Sequence, residues 1–78
     1  MTEKNLKFQV GDLVTWSPNH SLYKNRIMHY GREPFEITEV RRVNHFWRYY
    51  TSSKKIQCFS EDSYISESLC VLKRLKNV

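Results

Sequence analysis

Short segments of alternating apolar and polar residues, separated by turn signals, predict a mainly β structure of five short strands. The first strand is expected over residues 12–16, after a Gly11-Asp12 turn, and the last over residues 69–72. Residues 60–68 carry acids but no base and indicate a loop with room for one helical turn. Four apolar residues of one parity mark the buried side of the first strand and its lead-in: Phe8, Val10, Val14 and Trp16.

The segment from Pro34 to Val43 carries the clearest strand pattern. Its apolar positions change parity, because Phe35 and Ile37 are odd-numbered whereas Val40 is even-numbered. A change of parity inside one strand predicts a β-bulge or a sharp bend near Thr38-Glu39. Small barrels need such bends, since a strand must curl to close the sheet.

Residues 45–51 and 54–60 are predicted to form a hairpin around Ser52-Ser53, or around a loop one residue longer, since this pair lacks the Gly or Asn of most two-residue loops. A register that pairs Thr51 with Lys54 sorts the side chains onto two faces. The inner face holds Tyr49 with Ile56, Trp47 with Cys58 and His45 with Ser60. The outer, wetter face holds Tyr50 with Lys55, Arg48 with Gln57 and Phe46 with Phe59.

Residues 17–33 form a connection longer than the about 4–6 residues of an ordinary loop. Two interpretations stay open. In the first, Ser21 caps a short helix that ends before Gly31. In the second, an extended excursion folds back on the strands and is held by its apolar side chains. Both interpretations place the same residues inward: Leu22, Tyr23, Ile27 and Tyr30.

The chain length of 78 residues predicts one domain over residues 8–76, preceded by a flexible arm over residues 1–7. A domain of this size commits most of its apolar residues to folding, which favours a shallow binding face over a deep catalytic cavity. The N-terminus lacks the apolar run of a signal peptide, and no segment approaches the about 20 apolar residues of a membrane span. We therefore expect a cytoplasmic protein without membrane contact, in which Cys58 and Cys70 are reduced.

Five short strands, a long first loop and the opening Gly11-Asp12-Leu13-Val14 resemble the Src-homology-3-like small β-barrels, a class that includes KOW, Tudor and retroviral-integrase C-terminal modules. The resemblance is carried by Phe8 to Val14, Gly31 to Val40 and Leu69 to Leu72. It implies a single SH3-like five-stranded barrel with a long first loop, and a binding role whose ligand stays open because one fold hosts many functions.

Positive charge is concentrated in one segment of a chain whose net charge is +5. Residues 41–55 contain five Lys and Arg, no acid and four aromatic residues. Basic surfaces beside stackable rings bind single-stranded nucleic acids with little sequence preference, at about 1–3 kcal/mol per stacked base. The alternative is a hairpin with Trp47 and Tyr49 in the core and its charges solvated. The binding candidates of this segment are Arg41, Arg42, Phe46, Arg48, Tyr50, Lys54 and Lys55.

The long first loop carries a second basic and aromatic set. In barrels of the class that the chain resembles, this loop often flanks the ligand groove, which implies a protein or peptide partner. The alternative is a purely structural loop that is pinned by Leu22, Tyr23 and Ile27. Its binding candidates are Lys24, Arg26, Tyr30 and Arg32.

Catalytic and metal chemistry find little support in the pattern. The three His and two Cys residues include no close pair with zinc-ligand spacing. Cys58 is expected to face the core, where thiols are inert, and Asp12 beside Gly11 is typical of a turn. Two glycines cannot build a phosphate-binding loop. We therefore expect no enzymatic activity, no cofactor, no metal and no small-molecule substrate.

The sequence favours a small non-enzymatic module that binds DNA or RNA with low sequence specificity. The alternative is an adaptor or inhibitor that binds a protein partner through the first loop and the hairpin face. Exposed apolar pairs often mark interfaces, so the pair Phe46–Phe59 predicts a weak dimer, and a monomer is expected without it. The residues at the centre of the nucleic-acid hypothesis are Arg42, Arg48, Tyr50 and Lys55.

Overall fold

A computed structural model, which describes residues 6–74, shows five antiparallel strands in one sheet and two short helices. The sheet order is β4-β3-β2-β1-β5. The mainly β prediction is confirmed, and so are the helix in the first loop and the helical turn before the last strand. The elements are β1 Leu13–Trp16, α1 Tyr23–Tyr30, β2 Phe35–Val43, β3 Phe46–Thr51, β4 Cys58–Ser60, α2 Tyr64–Glu67 and β5 Leu69–Lys73.

The long strand β2 bends where the sequence predicts. Ile37 lies opposite Thr51 and Glu39 lies opposite Tyr50, so Thr38 is the extra residue of a β-bulge. The bend allows the start of β2 to pair with β1 and the remainder to pair with β3. The sheet is nevertheless not closed into a barrel, because within the described residues β4 pairs only with β3 and β5 only with β1. The five predicted strands are therefore confirmed, but their closure into a barrel is not observed.

Aromatic rings fill much of the core. The ring centroids of Phe8 and Tyr49 lie 5.2 Å apart edge to face, and Tyr49 stacks on Phe59 at 5.2 Å. Trp16 stacks on Tyr30 at 5.4 Å, which fastens α1 to the sheet. Such ring pairs add about 0.5–1.5 kcal/mol to what burial alone provides. The buried apolar residues are Phe8, Val14, Trp16, Phe35, Ile37, Tyr49, Ile56, Phe59 and Leu69.

The predicted pairing of β3 with β4 is wrong. Tyr49 lies opposite Phe59 and Tyr50 opposite Cys58, so the loop spans residues 52–57 rather than Ser52-Ser53. The Ser53 hydroxyl accepts hydrogen bonds from Lys55 N and Ile56 N at 3.2 and 3.3 Å, and thereby stabilises the longer turn. The register differs from the predicted one by three residues, and an odd shift exchanges the faces of a strand.

The new register reverses two predictions. Phe59 is buried and packs on Tyr49, because the core gains more from an aromatic ring than from the thiol. Cys58 is exposed instead of facing the core. An exposed Phe46–Phe59 pair does not exist, and the dimer contact that was based on it loses its support.

Helix α1 begins one residue later than predicted. Its N-cap is Leu22, which makes no side-chain cap, and Ser21 is exposed. His20 Nδ1 accepts a hydrogen bond from Leu22 N at 3.1 Å in the turn before the helix. Of the four residues predicted to face inward, Tyr23, Ile27 and Tyr30 are half-buried against the core, whereas Leu22 is the helix N-cap. No helix within residues 6–74 is long and apolar enough to cross a membrane.

The turn before β1 is tied to the end of β5 by a charged pair. Asp12 is only 1% exposed. Its carboxylate accepts hydrogen bonds from Arg74 Nε at 3.1 Å and from Arg74 Nη2 at 3.0 Å. It also accepts from Gln9 N at 2.9 Å. This turn breaks the parity between Phe8 and Val14, which leaves Val10 60% exposed rather than buried as predicted.

The chain before β1 makes two further hydrogen bonds through Lys7. Lys7 Nζ donates to the Ser66 carbonyl at 2.6 Å, and Lys7 O accepts from Arg74 at 3.4 Å. Lys7 therefore belongs to the folded part of the chain rather than to a free arm. Residues 1–5 of the predicted arm and residues 75–76 of the predicted domain lie outside the described residues.

Candidate nucleic-acid interface

The ladder between β2 and β3 has two unlike faces. Val40 and Tyr49 are cross-strand partners on the inner face, where Tyr49 is fully buried. The next pair toward the hairpin turn, Arg41 with Arg48, points the other way. We call this side of the ladder the outer face. Its residues are Glu39, Arg41, Val43, Phe46, Arg48 and Tyr50.

The half of this hairpin that is remote from the core is the hairpin tip, residues 41–48. None of its residues is buried. The two strands are joined by Asn44-His45, and Asn44 has φ 56°, a left-handed conformation that Asn tolerates better than most residues. The tip is therefore a short two-stranded ribbon whose side chains are open to solvent on both faces.

Two arginines stand directly opposite each other on the outer face of the tip. Arg41 and Arg48 are cross-strand partners, an arrangement that costs stability because like charges repel. Arg41 is partly compensated: its Nε donates to Glu39, and its guanidinium lies 5.3 Å from the ring of Tyr50. The hydrogen bond to Glu39 and the charge of that carboxylate raise the pKa of Arg41 above its already high value. Within residues 6–74, Arg48 makes no ion pair.

A third arginine lies on the inner side of the same tip. Arg42 pairs with Trp47 across the ladder, and its guanidinium lies 5.2 Å from the indole ring. Exposed cation–π contacts of this kind contribute about 0.5–1 kcal/mol. The tip thus presents arginine on both sides, with one aromatic ring beneath each of two guanidinium groups.

A shallow cleft of about 400 Å³ opens at the tip. We call it the tip cleft. Phe46, which is 51% exposed, belongs to its lining, and Arg48 and Ser60 are cross-strand neighbours in it. The described residues that line it are Val43, Asn44, Phe46, Trp47, Arg48 and Ser60.

The lysines of the predicted basic segment lie elsewhere. Lys54 and Lys55 belong to the turn that follows β3, at the opposite end of this strand from the tip. There they line a second cleft of about 520 Å³, the loop cleft, together with Tyr30 and Glu33 from the end of the first loop. The structure therefore brings Tyr30 together with the two lysines and separates all three residues from the arginines of the hairpin tip.

The remaining candidates of the first loop do not converge on either cleft. Arg26 has a structural environment, since its Nε donates to Ser68 Oγ at 3.2 Å and its guanidinium lies 5.9 Å from the Trp16 ring. Lys24 is exposed on α1, and Arg32 is exposed beside Gly31. The predicted set of eleven residues thus divides into the hairpin tip with Tyr50, the loop cleft and scattered positions.

Four of the residues that line the tip cleft were not among the predicted site residues: Val43, Asn44, Trp47 and Ser60. Asn44 could have been found, because an Asn in a two-residue gap between apolar strands is a hairpin signal. Ser60 could not, because it reaches the cleft only through the register that pairs it with Arg48. Cys58 on β4 is likewise an exposed neighbour of the outer face, opposite Tyr50.

Among the described residues, no three side chains of His, Cys, Asp or Glu come close enough to hold a metal ion. Comparison of the chain with protein-family models, with curated proteins and with solved structures gives no significant match. The function must therefore be inferred from the geometry of this chain.

Proposed function

We propose that this protein is a non-enzymatic module that binds nucleic acid with low sequence specificity through the hairpin tip. The observation that carries the proposal is the direct opposition of Arg41 and Arg48 on an exposed face. This pair weakens the ladder in the free protein, and a phosphate between the two guanidinium groups would remove the repulsion. Arginine is well suited to this role because its planar donors match phosphate geometry.

The surroundings of the pair favour a backbone ligand over a small anion. Arg42 adds a third cation on the other side of the ribbon, so successive phosphates of a polymer can be contacted. An exposed ring, Phe46, stands beside the cations, and basic surfaces interleaved with rings are typical of sequence-tolerant nucleic-acid binding. Phosphate contacts and ring stacking carry little sequence information, which is consistent with low specificity.

We also propose that the domain is related to the SH3-like small barrels, with a sheet that is open between β4 and β5. Support comes from the five antiparallel strands, the long first loop between β1 and β2, and the bulge that divides β2 between two neighbours. This assignment agrees with a binding role, although the fold by itself does not select the ligand.

Fluorescence anisotropy with labelled twelve-nucleotide single strands and duplexes tests the proposed function. Three phosphate contacts predict that raising salt from about 50 to about 200 mM weakens single-strand binding roughly twentyfold. The double variant Arg41→Gln/Arg48→Gln should lose most of the affinity and most of the salt dependence. The matched control is Lys24→Gln/Lys73→Gln, which removes the same charge from exposed positions outside the tip.

The exposed thiol of Cys58 offers an independent readout. Because Cys58 lies opposite Tyr50 beside the outer face, a bound oligonucleotide should slow its alkylation by a maleimide. Cys70, which lies on β5 opposite Thr15 of β1, is the internal reference and should react at an unchanged rate. The absence of binding at low salt, together with unprotected Cys58, would exclude the proposed function.

A protein partner is the second candidate function, and the loop cleft is the observation that favours it. Its lining combines both signs of charge, Glu33 and Lys54, with the apolar residues Pro34 and Ile56. Mixed polar and apolar surfaces are typical of transient protein interfaces. Pull-down from a nuclease-treated lysate, compared with the variant Lys54→Glu/Lys55→Glu, tests it. A protein that is retained equally by both forms would contradict this site.

A further inference from the structure

The three aromatic rings of the hairpin tip and its outer face are not equally accessible. Tyr50 lies beneath the guanidinium of Arg41 and Trp47 beneath that of Arg42. In the described part of the chain no ring and no guanidinium stacks on Phe46, which is 51% exposed. Phe46 is therefore the ring of this surface that keeps a free face.

The free ring stands in a cleft that has room for a planar group. The tip cleft measures about 400 Å³, which lies within the about 300–1,000 Å³ of sites that enclose small ligands. Apolar side chains, Val43 and Phe46, line it beside Asn44 and Ser60. The amide of Asn and the hydroxyl of Ser can each donate or accept a hydrogen bond, so the edge of more than one base can be satisfied.

The two arginines would hold the backbone of a strand whose base enters this cleft. Arg48 lines the cleft, and Arg41 is its direct cross-strand partner. A base inside a duplex already has both faces covered by its neighbours, so it cannot stack on Phe46 without leaving the helix, which costs a few kcal/mol. An unpaired base pays no such cost.

We propose, on the basis of the function proposed above, that the ligand is single-stranded nucleic acid and that one unpaired base stacks on Phe46 in the tip cleft. The arginines bind the phosphates on either side of that base. Asn44 and Ser60 contact its edge without selecting one base over the others. Sequence tolerance and single-strand preference thus have the same structural origin.

The test compares two ligands that carry the same number of phosphates: a twelve-nucleotide oligothymidylate and an abasic strand of equal length. Their electrostatic attraction to the arginines is equal, so a difference in affinity reports contacts with bases. The wild-type protein should bind the oligothymidylate about tenfold more tightly than the abasic strand. The variant Phe46→Leu keeps an apolar side chain but removes the ring. It should bind both strands with the affinity that the wild-type protein has for the abasic strand.

Tyr64→Leu is the matched control, because Tyr64 is a 72% exposed ring on α2, outside both clefts. It should leave the tenfold preference intact. Equal wild-type affinity for the two strands, an equal loss on both strands in Phe46→Leu, or tighter binding of a duplex than of the single strand would each overturn the inference. Failure of the wild-type protein to bind either strand would instead remove the proposed function itself.

Discussion

The basic side chains beside β1 and β5 and those at the hairpin tip of β2 and β3 have different environments. Beside β1 and β5, Arg74 binds the buried carboxylate of Asp12, and Arg26 donates to Ser68 Oγ, which belongs to a buried residue. At the hairpin tip, Arg48 is exposed, makes no ion pair within residues 6–74 and faces another arginine. Both regions contribute to the same net charge of +5. Arg74 and Arg26 hold separate elements together, whereas Arg48 makes no ion pair or cation–π contact within residues 6–74.

This difference shows why composition is a weak guide to a binding surface. A guanidinium bound to a buried carboxylate is required by the fold, and its removal leaves an uncompensated charge. A guanidinium that faces solvent and a like charge has no such function in the free protein. The groups that an arginine contacts therefore distinguish the two kinds, and separate measurements of stability and affinity can test the distinction.

The largest effect is expected from Arg74→Met. This variant leaves the 1% exposed Asp12 without its cation, and the free energy of unfolding should fall by about 2–3 kcal/mol, below the 3–5 kcal/mol of fully buried pairs because Arg74 is itself partly exposed. Thermal denaturation followed by circular dichroism measures the loss. Lys73→Met is the control at the neighbouring exposed position and should change stability by less than about 0.5 kcal/mol. Equal losses in the two variants would contradict the structural role of Arg74.

Tyr49 sharpens the comparison because it neighbours Arg48 on the same strand but faces the core. Its hydroxyl accepts from Phe8 N at 3.3 Å and donates to Glu61 Oε1 at 2.7 Å. Burial, followed by the hydrogen bond to Glu61, raises the pKa of Tyr49 to about 12. Tyr49→Phe should reduce the free energy of unfolding by about 1–2 kcal/mol.

The raised pKa also predicts an alkaline limit. Tyrosine in the unfolded chain ionises near pH 10, whereas Tyr49 in the folded chain ionises near pH 12, so its contribution to stability is complete below pH 10 and is lost between the two values. Urea denaturation at pH 9 and pH 11 should show this fall for the wild-type protein. In Tyr49→Phe the fall should be smaller. An identical pH dependence in both proteins would mean that this hydroxyl is not buried.

Arg48→Gln should lower the affinity for nucleic acid and leave the stability of the fold nearly unchanged. The variant removes the like-charge opposition with Arg41, so the free energy of unfolding should stay within about 0.5 kcal/mol of the wild-type value or rise slightly. Affinity for a single strand should fall about threefold, and the slope of log K against log salt should decrease by about 0.7. A loss of more than about 1 kcal/mol in the free energy of unfolding would mean that Arg48 stabilises the fold as Arg74 does, and would contradict the comparison.

The sequence pattern predicted elements better than it predicted their pairing. The bulge at Thr38 and the inner side of α1 followed from local periodicity, which a single strand or helix carries by itself. The register of β3 with β4 depends on which ring reaches the core, and Phe59 displaced Cys58 from the position that a short turn would have given it. Local turn chemistry could not reveal that choice, because tertiary packing of Tyr49 on Phe59 decides it.

The candidate site was predictable to a similar extent. Arg48 and Phe46 were expected on an outer face, and both are exposed there. Lys55 was grouped with them by the predicted register opposite Tyr50, and Lys54 by its closeness in sequence. The longer turn carries both lysines to the loop cleft. The predicted register and adjacency along the chain therefore overestimated the extent of the basic surface.

The smallest effect is expected from Lys54→Gln/Lys55→Gln. Arg48 and Thr51 are already about 10 Å apart along β3, and the lysines lie farther on, in the turn. With a short single strand, this variant should weaken binding less than twofold, whereas Arg41→Gln/Arg48→Gln removes the same charge and should weaken it at least fivefold. Anisotropy titrations at low salt compare the two directly. A loss as large as that of the arginine variant would mean that the strand runs along the whole of β3 into the loop cleft, and that pairing across the ladder does not define the binding surface.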